Sequence, residues 1–336
     1  MNGFEISGWV EIEGRVIPDE KIHKILLEEI SQVTSFGGEF LLRWDDCAAR
    51  DNLGIMQGNC PPGKVVCGGK VIAGIDPNPS CLSLDEAIRC AVSLRKEEGI
   101  VALSGGVDSS LVAALAGREC VAVGTDESHD LRRARAVALY LGLKLDEIQV
   151  NKAEVEDALI EAIGLIPNIT PVDAGIATTL WFVARYAGDH GHRRILAGQG
   201  ADELFGGYAR YIDSEDLEAE LKHDLEQLPV QLSRDQAVAA RYGAYFSLPY
   251  LDLRVIRCAR NIPPNEKVRG GERKIALRAV AGRYLPPEIS DYEKKAMQYG
   301  SGIWKIILEL ARENGYKKSI QGYINHLGRV EHGIGE

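Results

Sequence analysis

LSGGVDSSL, residues 103–111, sets two glycines, three hydroxyls and one carboxylate between apolar segments. An ordinary strand-to-helix turn does not need so many polar groups. Gly105 and Gly106 tolerate positive φ and let the backbone come close to an anion. Ser104, Ser109 and Ser110 can donate to phosphate oxygens. A helix opening there aims its free N–H groups and positive dipole end at the same place. Asp108 would repel bare phosphate, so its presence calls for a Mg2+ ion that neutralises both. No lysine follows, and the GxxxxGK[ST] spacing is missing, so this is not a Walker-type loop. The stretch reads as a phosphate-binding loop made of Leu103, Ser104, Gly105, Gly106, Val107, Asp108, Ser109 and Ser110.

Working outward, the flanks alternate. Ile100–Leu103, Cys120–Val123, Lys144–Val150 and Arg194–Ala197 read as strands. Ser109–Ala116, Asp130–Leu141, Ala153–Ile163 and Val172–Tyr186 read as helices. Such alternation predicts an α/β fold, a parallel sheet with helices on both faces. Upstream, Ser83 with Glu86 forms a capping box for a helix that Gly99 is placed to end. Residues 1–82 differ: short β-like runs (Phe40–Trp44, Lys64–Val66, Lys70–Ala73) between Gly, Pro and Asn turns, and one helix near Asp19–Ile30. The domains expected are a small β-rich module, 1–82, and an α/β domain, 83–336. From about 204 the chain reads as helical, with breaks at Pro229, Pro249, Pro263 and Pro286.

In an open parallel sheet, ligands bind beyond the carboxyl ends of the strands. Three polar or glycine-rich segments fall at such ends: Ser104–Ser110, Gly124-Thr125-Asp126 after Val123, and Gly198-Gln199-Gly200-Ala201-Asp202-Glu203. Composition bounds the partners. The chain has 336 residues and a formal charge of -10, which disfavours a nucleic-acid partner. It shows no run of about 18 apolar residues and no signal-peptide pattern at its start, so a cytoplasmic protein without membrane contact is expected. Seven cysteines in such a chain read as free thiols; Cys47, Cys60, Cys67 and Cys81 lack any CxxC pair, so buried small hydrophobes fit them better than zinc.

SGGVDSS resembles the pyrophosphate loop of the ATP pyrophosphatases, which split ATP into AMP and pyrophosphate. Gly198-Gln-Gly-Ala-Asp-Glu-Leu-Phe-Gly-Gly-Tyr208 resembles the G-x-G-[AS]-D-E-L-F-G-G-Y signature of the asparagine synthetase family. Pro249-Tyr250-Leu251-Asp252 is similar to that family's P-F-L-D, Lys274 with Leu277-Arg278 to its K-x-x-L-R, and Leu285-Pro286 to its L-P. Lys294 lies where the family carries its catalytic lysine, ahead of the glycines at 300 and 302. The resemblance covers roughly residues 83–310 and implies an amide ligase. Ser104 to Ser110 would hold the β- and γ-phosphates of ATP, and Asp108 and Asp202 would hold Mg2+. Val123, Gly124, Gly198 and Gly200 would border the nucleotide. Lys294 would stabilise charge as a carboxylate attacks the α-phosphate, with Gln199, Asp202 and Glu203 beside it. Ammonia or an amine would then displace AMP.

The departures concern the nitrogen side. Glutamine-hydrolysing members begin Met-Cys, whereas this sequence begins Met1-Asn2 and has no cysteine before Cys47. Gly38-Glu-Phe-Leu-Leu-Arg-Trp44, Ala49-Arg50-Asp51-Asn-Leu-Gly54 and Pro61-Pro62-Gly63 still resemble pieces of the glutaminase domain. A truncated remnant without amidase activity is expected, leaving a separate glutaminase, free ammonia or an amine as the source. Tyr245 and Ser247 stand where the family has Glu and Arg, and Gln199 replaces the Glu of G-E-G. Losing the Arg removes the fork that would bind a second carboxylate, which weakens aspartate as substrate. Two alternatives stay open: another ligase or nucleic-acid-modifying enzyme with this loop, and a non-catalytic ATP-binding subunit that partners a glutaminase. A homodimer is also left open.

Overall fold

A computed structural model of the chain describes residues 4–79, 82–126, 128–292, 297–317 and 319–331. The chain folds as two compact units, one of residues 1–97, 199–232 and 247–274, the other of 98–198, 233–246 and 275–336. Among the described residues, no helix is long and apolar enough to cross a membrane.

The first unit is built on six antiparallel strands: β1 (Phe4–Ile12), β2 (Arg15–Val16), β3 (Gly37–Trp44), β4 (Cys47–Arg50), β5 (Lys64–Cys67) and β6 (Lys70–Gly74), in the order β2-β1-β3-β4-β5-β6. The helix α1 (Asp19–Glu28) buries Ile22, Ile25 and Leu26 in one core with Val10, Phe36, Phe40, Leu42 and Trp44. The expected runs at 40–44, 64–66 and 70–73 fall on β3, β5 and β6. Not expected were β1, β2 and β4; β1 carries Ser7-Gly8 in its middle, which interrupts its alternation.

Cys47 and Cys67 face each other across β4 and β5 and form a disulfide. This corrects the expectation that all seven cysteines are free thiols. Directly opposed residues on antiparallel strands have close Cβ atoms, a proximity that a sequence separation of 20 hides. With it goes the thiol argument for a reducing compartment. Cys60, Cys90, Cys120 and Cys258 are free, and Cys60 and Cys120 are buried.

A chain of buried charges runs through the same unit. Glu39, on β3, accepts from Trp9 Nε1 at 3.0 Å, Arg95 Nε at 2.8 Å, Ser247 Oγ at 2.5 Å and Leu248 N at 2.8 Å. Arg95 follows α2 (Leu84–Ser93), whose capping box at Ser83 and Glu86 forms as expected. Its Nη1 donates to Asp252 Oδ2 at 3.0 Å, and Arg254 joins Asp252 (3.1 Å) to Glu11 (2.7 Å). Each carboxylate therefore meets a guanidinium, which is how charges survive burial. α2 ends at Ser93, before Gly99. Gly99 serves a different purpose: at φ +96° it enters the next strand where a Cβ would stand 2.2 Å from Arg194 O.

The second unit carries the expected α/β sheet. Its strands are β7 (Ile100–Ala102), β8 (Cys120–Gly124), β9 (Leu145–Gln149), β10 (Arg194–Leu196) and β11 (Tyr245–Ser247), in the order β11-β10-β7-β8-β9. The pairs β10–β7, β7–β8 and β8–β9 are parallel. Helices α3 (Val107–Ala116), α4 (His129–Leu141), α5 (Lys152–Leu165) and α6 (Pro171–Asp189) connect the first four strands. β7 has β8 on one side and β10 on the other, so chain order reverses there; this is the switch point at which such sheets bind ligands. α3 begins at Val107, two residues before the expected start, because Gly106 is already extended and acts as N-cap without a side chain. Pro229 was expected to break a helix but lies inside one, Leu217–Ala240.

Candidate functional site

At the switch point, the loop after β7 closes on itself through hydroxyls. Ser104 N donates to Ser109 Oγ at 3.2 Å, and the two hydroxyl oxygens are 3.1 Å apart. Gly105 sits at φ +75°, and a Cβ there would lie 2.4 Å from Arg133 Cβ and 2.6 Å from Arg133 C on α4. Only glycine lets this turn pack so tightly. Asp108, Ser109 and Ser110 on the first turn of α3 are buried. Ser110 Oγ has no hydrogen-bond partner among the described residues. A buried hydroxyl left so costs stability unless a ligand completes it.

The loop after β10 comes to the same place: a Cβ on Gly198 would stand 3.0 Å from Asp108 Cβ and 3.2 Å from Ser109 N. Leu103 and Val123 are buried just inside. Gly124, at the end of β8, borders Ser128, whose Oγ would lie 2.2 Å from a Cβ at 124. The donor set suits phosphate: hydroxyls, an N-cap glycine and first-turn N–H groups, with no bulk at the approach. For Mg2+, no group of three or more His, Cys, Asp or Glu assembles among the described residues. Among the described residues that leaves no all-protein cage, and Asp108 would fit the usual Mg2+ arrangement of one or two carboxylates plus substrate oxygens.

The GQGADELFGGY segment continues in the first unit. Gly200, at φ +87°, caps the short helix α7 (Ala201–Phe205), and a Cβ there would meet Leu251 Cδ2 at 2.3 Å. Gln199 lies in the turn before it. Asp202 Oδ1 is 2.6 Å from Lys274 Nζ, and the lysine is buried while the aspartate side chain is 22% exposed. Glu203 is 2% exposed and accepts from Tyr208 Oη at 2.5 Å. Burial, and secondarily the charge of Asp202, pushes its carboxyl above the usual range.

Sequence reasoning placed Lys274 only within K-x-x-L-R and gave it no role. It follows a two-stranded hairpin, Val268–Arg269 and Glu272–Arg273, and adopts a left-handed φ of +58° that a lysine rarely takes. Arg273 Nη1 donates to Gly207 O at 2.6 Å and ties the hairpin to the signature. The expected residues thus group as Leu103–Ser110, Val123, Gly124 and Gly198 in one unit, and Gln199, Gly200, Asp202 and Glu203 in the other. Lys294, with Lys295, lies outside the described residues.

Comparison with known proteins gives the following similarities. The family model described as asparagine synthase matches residues 83–242 and 213–326. A Methanocaldococcus jannaschii protein, named as an asparagine synthetase (glutamine-hydrolysing), is 33% identical over 294 residues, covering 73% of this chain and 54% of that one. The carboxyethyl-arginine β-lactam synthase of Streptomyces clavuligerus is 32% identical over 237 residues, covering 68% and 46%. The chain therefore spans about half the length of these relatives. Among solved structures, an NH3-dependent NAD synthetase from Campylobacter jejuni covers 60% of this chain and 97% of its own at 17% identity; its TM-score of 0.29 places it too far away to add to the assignment.

Proposed function

Because the chain belongs to the asparagine synthase family, we propose that it is a carbon–nitrogen ligase that adenylates a carboxylate with ATP. The observation that carries this reading is the loop Ser104–Ser110 at the switch point, with Gly198 against Asp108 and the buried Ser110 Oγ left without a partner among the described residues. A carboxylate oxygen attacks the α-phosphorus, pyrophosphate leaves, and ammonia or an amine displaces AMP from the acyl group. The loop hydroxyls and N–H groups orient the β- and γ-phosphates. Asp108 would hold Mg2+, which would supply charge neutralisation on the phosphates. In the first unit, Lys274 fixes the rotamer of Asp202, and in our reading Lys294 stabilises charge on the α-phosphate.

The acceptor differs from aspartate in this proposal. Ser247, at the family's Arg position, is fully buried and donates to Glu39, so it offers nothing to a second carboxylate. Tyr245, at the Glu position, accepts from Arg194 Nε at 2.6 Å. These changes favour a substrate with a single carboxylate. Its attacking amine is separate or, as in a β-lactam synthase, part of the same molecule. In our reading residues 1–82, whose resemblance to the glutaminase domain rests on three short pieces (38–44, 49–54 and 61–63), hydrolyse no glutamine.

ATP–pyrophosphate exchange with a panel of carboxylates tests the reading, with wild type against Asp108→Ala. Exchange that depends on one acid and disappears in Asp108→Ala supports it. Exchange with aspartate alone would return the acceptor to the family default, and no exchange with any acid would remove the ligase assignment. Release of glutamate from glutamine by the purified chain would refute the remnant reading.

A further inference from the structure

A buried cation normally brings its counter-charge with it. Arg95, Arg234, Arg254 and Lys274 obey the rule: each is buried and has a carboxylate oxygen at 2.8, 2.7, 2.7 and 2.6 Å respectively. Arg194, also buried, donates to the Tyr245 hydroxyl at 2.6 Å. Lys267 breaks the rule. It is 7% exposed, yet among the described residues its ammonium makes no hydrogen bond and no ion pair. Burial pushes its pKa below the ordinary lysine value, and the exposed carboxylate of Glu218 is the charge that acts against this.

Its place in the fold is specific. Lys267 ends a single helical turn, Pro264–Lys267, and leads into the hairpin that Lys274 follows. Both ends of this segment press on the GQGADELFGGY signature. A Cβ on Gly206, which takes φ +73°, would stand 2.5 Å from Val268 Cγ2 and 3.6 Å from Lys267 Cβ, and a Cβ on Gly207 would meet Lys274. Val268 packs with Tyr211 and Leu221, which anchors the turn. Two buried lysines thus flank adjacent glycines of one motif. Asp202 neutralises Lys274, and no described residue neutralises Lys267. A methionine would fill the same space without a desolvated charge, so packing alone does not call for lysine here.

We propose that Lys267 is an oxyanion-binding residue, held without a counter-charge so that a carboxylate or phosphate of the ligase reaction supplies it. That the oxyanion belongs to this reaction rests on the ligase reading; the site itself does not. The reaction brings two kinds of charged oxygen, the acceptor's carboxylate and the phosphates of ATP, AMP or pyrophosphate. An exposed lysine would hold either weakly, because water competes, whereas a buried ammonium forms a charge-assisted bond where screening is low.

The test titrates Lys267 in the folded chain. Protein carrying lysine labelled with carbon-13 at Cε gives one NMR signal per lysine, and Lys267→Met identifies the signal of Lys267 by its loss. Without ligand, Lys267 should titrate at lower pH than the exposed Lys64. Two arms then separate the sources: inorganic pyrophosphate with Mg2+, and a panel of carboxylates added over saturating AMP. The ligand that Lys267 holds should raise its midpoint by about one pH unit or more and leave Lys64 unmoved. A shift with pyrophosphate or with AMP alone names a phosphate, and a shift that needs the acid names a carboxylate. In calorimetry, Lys267→Met should bind that same ligand about 10- to 100-fold more weakly, while its urea midpoint stays equal to wild type or rises. A midpoint that neither arm moves would overturn the proposal. So would a Lys267→Met protein that unfolds more easily yet binds both ligands within about threefold of wild type, since the lysine would then be structural. Acid-dependent exchange with an unmoved midpoint would leave the ligase reading standing and remove this one. Pyrophosphate binding that depends on Lys267, in a protein that exchanges with no acid, would uphold the site and remove the ligase reading.

Discussion

Gly207→Ala is the sharpest single perturbation of the signature segment. A methyl at 207 would stand 1.8 Å from Asp202 Oδ1 and 2.3 Å from Lys274 Cε, whereas non-bonded carbon prefers about 3.5 Å. Each neighbour must give by more than 1 Å (about 1.2–1.7 Å by that difference), which the 2.6 Å Asp202–Lys274 pair cannot absorb. Lys274 is 3% exposed, so its ammonium would lose this carboxylate inside the protein. Breaking a buried pair costs about 3–5 kcal/mol. With Asp202 partly solvated, the lower end, about 3 kcal/mol, is expected. Urea unfolding followed by circular dichroism measures this, and pyrophosphate exchange on the still-folded protein should fall about 100-fold or more if Asp202 orders the phosphates. Gly270→Ala is the control: it has φ +60° in the neighbouring hairpin and nothing within 4 Å of its Cβ, so it pays only conformational strain of about 1 kcal/mol. Loss of less than about 1 kcal/mol in Gly207→Ala, with exchange within about threefold of wild type, would show that the pair is neither as tight nor as needed as argued.

Three further outcomes follow from the same structure. Ser110→Ala should leave stability unchanged or raise it by up to about 1 kcal/mol, since its hydroxyl is buried without a partner among the described residues, yet lower exchange tenfold or so; thermal melting and exchange together check the opposite signs. Arg95→Met should cost about 3–5 kcal/mol in denaturant unfolding, because Glu39 and Asp252 lose a shared counter-charge, and adding Glu39→Gln should recover part of it. Asp51 is fully buried, and desolvation pushes its carboxyl up to about 6 against 3.8 despite backbone N–H bonds from Ile55 and Met56. The folded state therefore holds the proton more tightly, so its stabilising contribution is complete below about pH 4 and is lost as pH rises through about 6, amounting to about 3 kcal/mol. Unfolding free energy measured from pH 4 to 7 should show that decline in wild type and not in Asp51→Asn.

What could be read from the sequence was what is encoded locally. The glycine–serine loop at 103–111, the capping box at Ser83 and the alternating strands and helices each lie within a short window, and glycine, serine and period carry them. Contacts between distant positions were not readable. Nothing in the sequence links Glu39 to Arg95 and Ser247, 56 and 208 positions away, or Cys47 to Cys67. Lys274 was visible as a letter in K-x-x-L-R, but its pairing with Asp202 depends on a hairpin of two-residue strands that propensity barely registers. Pro229 misled for a related reason: a proline inside a helix removes one hydrogen bond, and packing along a 24-residue helix can offset that.

The buried ionic chain around Glu39 also constrains how the protein can be made. Synthesis runs from the N-terminus at roughly 5–20 residues per second. Ser247 and Leu248, which complete the hydrogen bonds of Glu39, are translated 208 and 209 residues after it, a delay of about 10–40 seconds at that rate. Throughout that interval the antiparallel sheet carries a carboxylate whose final donors do not yet exist. The first unit cannot mature domain by domain as the chain emerges; it closes late, when residues up to 274 have been made. Prematurely terminated chains should accordingly be chaperone clients rather than small stable fragments.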